Sequence, residues 1–172
     1  MKLEVFLDQH QISQAVERLA GEIQRDYEGM DLLMLGVLKG SFIFMADLVR
    51  HLRLPLEMDF VRLSSYGDAT ESSGRVSMTQ GPSGEVKGRP VLIVEDIVDS
   101  GLTVDFLMKH LARQGPASVR ICALLDKPSR RQVPLSIHYL GFQIPDLFVV
   151  GYGLDYGEKY RHLPDICVLK QE

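Results

Sequence analysis

The stretch Val91–Val104, VLIVEDIVDSGLTV, changes from an apolar run to an acidic loop and then to a helix. Its first four residues are apolar and mostly β-branched, which is typical of a strand covered on both faces in a parallel sheet. Glu95 and Asp96 end this run. Small and hydroxylated residues then precede apolar residues at helical spacing, namely Val104, Leu107, Met108 and Leu111. The stretch therefore predicts a strand, an acidic loop and a helix.

The loop has the composition of a phosphate-binding site. Gly101 permits a tight turn, and Ser100 and Thr103 add hydroxyls to the backbone N–H groups at the start of the helix. Carboxylates beside the loop would repel a bare phosphate. A divalent cation, or a sugar whose hydroxyls bond to Glu95 and Asp96, reconciles the two features. The loop thus predicts a phosphorylated sugar bound with magnesium, and the alternative is a buried strand followed by a capped helix without a ligand.

Other segments predict more strands and helices of the same kind. A helix is predicted from Asp8 to about Glu28, and a buried strand at Leu32–Leu38 leads through Lys39, Gly40 and Ser41 into a second helix. On its residues alone, that turn is a short connection with a serine N-cap. Further apolar runs predict strands at Pro55–Leu63, Val119–Leu125, His138–Phe142 and Leu147–Val150.

The segment VEDIVDSGLT, Val94–Thr103, resembles the phosphoribosyl-diphosphate (PRPP) binding motif of the type I phosphoribosyltransferases, in the form found in the hypoxanthine-guanine branch. The resemblance implies that Asp99 is the catalytic acid or base. Mammalian members carry a lysine at the position of Leu102, so the 5′-phosphate here would rely on backbone donors and hydroxyls. The residues implied to bind PRPP and the nucleotide phosphate are Glu95, Asp96, Asp99, Ser100, Gly101, Leu102 and Thr103.

Two more loops extend this resemblance. LKGS, Leu38–Ser41, is similar to the loop that binds pyrophosphate in the family, where the peptide bond between the residues matching Leu38 and Lys39 is typically cis. Backbone N–H groups around Lys39 and Gly40 would face the diphosphate, together with Arg161. Lys127, just after a predicted strand, matches the lysine that contacts the exocyclic oxygen of a 6-oxopurine. Without the resemblance, Lys127 is interpreted as an ordinary solvent-exposed lysine at the end of a strand.

The segment FVVGYGLDY, Phe148–Tyr156, resembles the purine pocket of the same family. It implies that Phe148 lies over the base, the Val149 backbone lies at its edge, and Asp155 closes the purine pocket and holds a second magnesium. Glu95 and Asp96 would hold the first. An aromatic residue in a strand is otherwise more often part of a core.

Residues 64–83 are rich in Ser, Gly and Thr and poor in large aliphatic residues. A linker between domains is one interpretation, but the flanks both predict strands of one sheet, which favours a mobile loop. The start of this segment resembles the catalytic lid of the family, with Ser65 and Tyr66 as lid residues. Such a lid excludes water while a reactive sugar cation forms.

The composition predicts a single domain spanning residues 1–172. Hydrophobic residues make up 45% and charged residues 24% of the chain, as in ordinary globular proteins. A net charge of −4 argues against a dedicated nucleic-acid surface. The sequence has no apolar run of signal-peptide or membrane-spanning length, which predicts a cytoplasmic protein. Cys122 and Cys167 lie in apolar runs and are expected to be free and buried.

Together these features predict an α/β fold with a mainly parallel twisted sheet, helices on both faces and a small hood formed by the terminal segments. The resemblance implies transfer of the phosphoribosyl group from PRPP to hypoxanthine or guanine, giving IMP or GMP and pyrophosphate, with Mg²⁺ as cofactor and a homodimer or homotetramer as the assembly. Two alternatives remain open: a phosphoribosyltransferase for another base, such as xanthine or a pyrimidine, and a nucleotide-sensing regulator that binds RNA.

Overall fold

The computed structural model describes residues 1–66 and 75–170. Its elements are, in order, β1 (Lys2–Leu7), α1 (Gln9–Asp26), β2 (Leu32–Leu38), α2 (Phe42–Val49), β3 (Leu56–Tyr66), β4 (Arg75–Gln80), β5 (Pro90–Val98), α3 (Leu102–Ala112), β6 (Ser118–Asp126), a short 3-10 helix (Pro128–Arg130), β7 (Tyr139–Gln143), β8 (Val149–Val150) and β9 (Ile166–Lys170). No helix within the described ranges is long and apolar enough to cross a membrane.

The central sheet has six strands in the order β4-β3-β2-β5-β6-β7. All neighbouring pairs are parallel except β3 and β4, which form an antiparallel hairpin. The middle strands β2 and β5 are buried almost throughout, as their apolar runs predict. Side chains alternate between the two faces of a strand, so both faces of these strands need a cover.

Helices provide this cover on both faces. Met34 of β2 packs in the cluster that includes apolar residues of α1 and α2, such as Leu19 and Phe44. Leu33, one residue earlier, packs instead with Leu107 of α3. The predicted α/β fold, with a mainly parallel sheet between helices, is therefore confirmed.

The two ends of the chain meet in a second sheet of three strands, ordered β1-β9-β8 and antiparallel. The chain between β8 and β9 returns to the central sheet at Gly153. A Cβ atom at Gly153 would lie 2.3 Å from the carbonyl oxygen of Gly40, just beyond the end of β2. The small sheet therefore holds the segment after β8 against the carboxyl edge of the large one.

The predicted loop over residues 64–83 differs from the structure. Ser64 still belongs to β3, and β4 pairs with it, with the hydroxyls of Ser64 and Ser77 3.1 Å apart. Met78 of β4 packs against the core. Polar residues are common on an antiparallel edge strand with one face in solvent, so composition alone could not distinguish this hairpin from a loop. Residues 67–74, and the side chains of the predicted lid residues Ser65 and Tyr66, lie outside the described part of the chain.

Candidate active site

The loops that follow β2, β5 and β6 converge at the carboxyl edge of the sheet because these strands are parallel neighbours. The backbone N–H of Lys127 donates to the carbonyl of Val98 at 2.9 Å, and that of Gln132 donates to the carbonyl of Ser100 at 2.9 Å. These bonds join the acidic loop to the lysine-bearing loop. The structure thus brings together the three loops in which the sequence placed its site residues.

Glu95, which is buried, and Asp96, which is partly buried, form an acidic pair near the end of β5. Burial, and then the neighbouring charge of Asp96, hold the pKa of the Glu95 carboxyl well above its usual range, and burial also raises the pKa of Asp96. A Cβ atom at Gly40 would lie 1.7 Å from the Oδ2 atom of Asp96. Only glycine allows the β2 loop to approach the acids this closely.

The predicted phosphate-binding residues 99–103, here called the phosphate loop, lie on a cavity of about 220 Å³ at the start of α3. Asp99, Ser100, Gly101 and Thr103 line this cavity, and the hydroxyl of Ser100 accepts from the N–H of Leu102 at 3.3 Å. Gly101 has a φ of +84°, in the left-handed region that glycine adopts most readily. The cavity therefore opens onto hydroxyls and onto the N-terminus of a helix of eleven residues.

The β2 loop faces a row of charged groups from the C-terminal segment. The Leu38–Lys39 peptide bond is cis, as the resemblance implied. Lys39 Nζ lies 2.5 Å from Glu158 Oε2, and Glu158 lies 3.1 Å from a guanidinium nitrogen of Arg161. That guanidinium also donates to the carbonyl of Gly153 at 2.7 Å and pairs with Asp155 at 3.3 Å. Two predicted pyrophosphate ligands, Lys39 and Arg161, thus share one carboxylate.

Of the predicted purine residues, Lys127 follows β6, which lies on the other side of β5 from β2. Lys127 is buried, and its Nζ lies 3.7 Å from a carboxylate oxygen of Asp146. Phe148 is 52% exposed, and its ring meets Tyr156 edge-on at 5.6 Å between centroids. Val149 is paired with β9 through its backbone. Phe148 therefore presents an open aromatic face and is not part of the core.

Asp99 is half-exposed, and one of its carboxylate oxygens accepts from Nε of Arg130 at 2.9 Å. Arg130 also pairs with Asp146 at 3.4 Å. Arg130 could not be predicted from the sequence, because Asp99 and Arg130 are separated by 31 residues and share no local pattern. Glu158 was also not predicted as a site residue, although the three-residue spacing of Asp155, Glu158 and Arg161 could have indicated it.

The pair of Glu95 and Asp96 suits magnesium, but the described side chains do not form a complete set of protein ligands around an ion. Within residues 1–66 and 75–170, no three His, Cys, Asp or Glu side chains are grouped so as to hold a metal ion. Asp155, predicted to hold a second magnesium, pairs with Arg161 at 3.3 Å. Two adjacent carboxyls with raised pKa values, one buried and one partly buried, suit a hard cation that takes most of its ligands from substrate phosphates and water.

The fold and the site define a phosphoribosyl transferase. A family model described as the phosphoribosyl transferase domain matches residues 3–157, and the chain belongs to this family. The hypoxanthine-guanine phosphoribosyltransferase of Bacillus subtilis is 46% identical over 96% of this chain and 92% of that protein. The hypoxanthine phosphoribosyltransferase of Escherichia coli K12 is 43% identical over 95% and 93%.

Solved structures agree with this assignment. A crystal structure of a hypoxanthine-guanine phosphoribosyltransferase from Bacillus anthracis has a TM-score of 0.93 and 46% identity, covering 97% of this chain and 98% of that one. The family resemblance inferred from the acidic loop is therefore confirmed.

Proposed function

We infer that this chain transfers the 5-phosphoribosyl group from PRPP to hypoxanthine, and also to guanine, in purine salvage. The observation that carries this conclusion is the similarity to hypoxanthine phosphoribosyltransferases over nearly the whole chain, with the acidic loop, the β2 loop and Lys127 at one edge of the sheet. In this reaction the bond from C1′ to pyrophosphate breaks, the bond from C1′ to purine N9 forms, and the purine loses a proton.

Asp99 is the proposed acceptor of that proton. Its carboxylate is half-exposed beside the cavity of the phosphate loop, so a base bound there could reach it. The guanidinium of Arg130 lies 2.9 Å from one carboxylate oxygen of Asp99 and orients the side chain. A carboxylate in this position can accept the proton as positive charge develops on the purine ring.

Lys127 and Phe148 are proposed to select the base. The buried ammonium of Lys127 would donate to the exocyclic oxygen of a 6-oxopurine, and the exposed face of Phe148 would stack on the ring. The backbone of Val149 and the segment at Asp155 would border the base.

The remaining assignments concern three parts of PRPP: the 5′-phosphate, the diphosphate and the ribose. Ser100, Gly101, Leu102 and Thr103 would bind the 5′-phosphate through N–H groups and hydroxyls, and Lys39, Gly40 and Arg161 would bind the diphosphate. Glu95 and Asp96 would bind the ribose hydroxyls and Mg²⁺, which when bound neutralises charge on the diphosphate. Asp155 is the proposed site of a second Mg²⁺, with Arg161 as its neighbour.

Three further features complete the proposal. A lid that includes Ser65 and Tyr66 would exclude water from the reacting sugar, consistent with its position at the end of the β3–β4 hairpin beside the site. A cytoplasmic location and a homodimer or homotetramer are expected from the family resemblance, and light scattering on the purified protein would test the assembly.

Activity is expected to require a divalent cation. Without one, only Lys39 and Arg161, which are already paired with Glu158, would offset the repulsion between the diphosphate and the carboxyls of Glu95 and Asp96. Excess chelator should abolish nucleotide formation, and added Mg²⁺ should restore it, whereas added Na⁺ of equal ionic strength should not. Full activity in the presence of excess chelator would contradict the metal assignment.

Replacing Lys127 with alanine is expected to raise the KM for hypoxanthine about tenfold or more, because a hydrogen bond from a buried charged donor is lost. The KM for PRPP should change little. Lys109, which pairs with Asp105 on the surface of α3, provides the matched control. Lys109→Ala should leave both constants unchanged. A loss of PRPP affinity with normal hypoxanthine affinity in Lys127→Ala would place this lysine elsewhere in the site.

A panel of bases tests the proposed substrate. Nucleotide formation with PRPP should be fast with hypoxanthine and guanine and slow with adenine, which has no 6-oxo group for Lys127. Xanthine as the fastest base would favour the alternative of a xanthine enzyme. Turnover of none of the bases, together with retention of RNA on a filter, would favour the regulator.

A further inference from the structure

A half-buried pair outside the predicted substrate ligands, Tyr152 and Asp47, joins the two segments that carry the proposed pyrophosphate ligands. The hydroxyl of Tyr152 donates to a carboxylate oxygen of Asp47, which lies 105 residues away in the sequence. Tyr152 is 7% exposed and has a φ of +51°, a conformation uncommon for a residue other than glycine. The pair therefore fixes a backbone conformation that the sequence alone would not favour.

On the Tyr152 side, the backbone leads directly to a predicted pyrophosphate ligand. The N–H of Tyr152 donates to the carbonyl of Leu163 at 2.8 Å, and the N–H of Gly153 donates to the carbonyl of Arg161 at 2.9 Å. The Arg161 guanidinium donates back to the carbonyl of Gly153 at 2.7 Å. Any shift of Tyr152 is therefore transmitted to Arg161 through its neighbour Gly153.

On the Asp47 side, the connection leads to the β2 loop. Asp47 lies on α2, which begins directly after Lys39, Gly40 and Ser41. Its second carboxylate oxygen accepts from Arg50 one turn later. Burial raises the pKa of the Tyr152 hydroxyl, so this group stays a neutral donor to the carboxylate. Hydrogen bonds of this charge-assisted type are stronger than those between neutral groups.

The segment that contains Tyr152 and the loop after β2 meet through their backbones. A Cβ atom at Gly153 would lie 2.3 Å from the carbonyl oxygen of Gly40, so these backbones are in direct contact. Tyr152 and Asp47 link the two segments next to this contact, and both line a cavity that includes neither the acidic loop nor Lys39 and Arg161. This link fixes how far Arg161 stands from the β2 loop.

We propose that Tyr152 is a positioning residue for diphosphate binding: through Asp47 it holds Arg161 and the backbone of Gly40 at the spacing that the pyrophosphate part of PRPP requires. Tyr152 touches no substrate in this account. The proposal rests on the proposed function, and the experiment below includes a binding measurement that does not depend on turnover.

The test compares Tyr152→Phe with a matched control. Phenylalanine retains the ring and its packing and removes only the hydroxyl. The control is Tyr139→Phe. Tyr139 is 3% exposed, and its hydroxyl donates to a carboxylate oxygen of Asp26 at 2.6 Å. Tyr139 is the first residue of β7, so this bond lies at the opposite edge of the sheet from the site. Both variants lose a half-buried bond from a tyrosine to an aspartate, and Tyr139→Phe also loses the bond that its hydroxyl accepts from Arg120 at 3.1 Å.

In Tyr152→Phe, the KM for PRPP and the dissociation constant of pyrophosphate with Mg²⁺, measured by calorimetry, should each rise about tenfold. The KM for hypoxanthine should stay unchanged. Tyr139→Phe should lower the melting temperature without changing any of these constants. Asp47→Asn, which weakens the same bond from the other side, should repeat the effect of Tyr152→Phe, and the double variant should add little to either single one.

The outcomes separate this proposal from the proposed function. Unchanged pyrophosphate and PRPP constants in both Tyr152→Phe and Asp47→Asn, with only a lower melting temperature, would overturn the positioning role. An equal rise in the constants for PRPP and hypoxanthine would also overturn it, because that pattern indicates general loosening of the site. A wild-type protein that binds pyrophosphate but forms no nucleotide would contradict the proposed function alone, and one that does not bind pyrophosphate would contradict both.

Discussion

Replacing Asp99 with asparagine should lower kcat by about 10²–10⁴-fold, the usual contribution of a general base. Asparagine has nearly the same shape and can still accept from Arg130, but it cannot take the purine proton. Because Asp99 lies on the loop three residues beyond Asp96, its loss should leave the KM for PRPP nearly unchanged. Initial rates with hypoxanthine and PRPP, measured under conditions where the chemical step limits turnover, provide the test.

Asp105→Asn is the matched control for this variant. Asp105 lies in the first turn of α3, beyond the same loop, and pairs with Lys109 at 2.7 Å on the surface. This change also removes one carboxylate from an ion pair, yet kcat should stay at the wild-type value. Asp99→Asn with near-full kcat would show that the proton leaves through water or another group.

Replacing Gly40 with alanine is the second change with a large expected effect. The added Cβ atom would lie 1.7 Å from Asp96 Oδ2 and 2.7 Å from its Cγ, so the carboxylate of Asp96 or the β2 loop must move. Displacement of binding groups by about 1 Å can lower the rate roughly 10²-fold. We therefore expect kcat/KM for PRPP to fall by about that factor, as measured by initial rates at low PRPP concentration.

Gly21→Ala is the control for the added methyl group. Gly21 lies within α1, and the nearest atom to a Cβ there is 3.9 Å away on the side chain of Arg25. Alanine favours the helix over glycine by roughly 0.5–1 kcal/mol, so this variant should be slightly more stable and fully active. Wild-type kcat/KM for PRPP in Gly40→Ala would mean that the β2 loop does not need its close approach to Asp96.

The fold could be predicted where the pattern is local. The apolar run of β2 gave its bounds, Leu32–Leu38, because both faces of a central parallel strand are buried and every position must be apolar. The strand β4 was missed because an edge strand with one face in solvent tolerates polar residues. The first helix was predicted to reach about Glu28 but ends at Asp26, because the backbone of Tyr27 leaves the helical conformation two residues before the positive φ of Gly29.

The site residues could be predicted where they belong to short sequence motifs. The acidic loop and the β2 loop carry their residue types in short segments, and the parallel sheet brings the ends of their strands together. The pairs that connect these loops to other segments have no such signal. Lys39 and Glu158 are 119 residues apart, and Tyr152 and Asp47 are 105 apart. Only the folded chain shows that these residues meet.

The most direct test of the central claim is to count both products of one reaction. Purified protein would be mixed with PRPP, hypoxanthine and Mg²⁺, and IMP and pyrophosphate would be measured over time in the same samples. Phosphoribosyl transfer predicts equal amounts of the two products and no pyrophosphate release when hypoxanthine is omitted. Release of pyrophosphate without IMP, or no consumption of PRPP in the presence of hypoxanthine, would contradict the assignment of this chain as a hypoxanthine phosphoribosyl transferase.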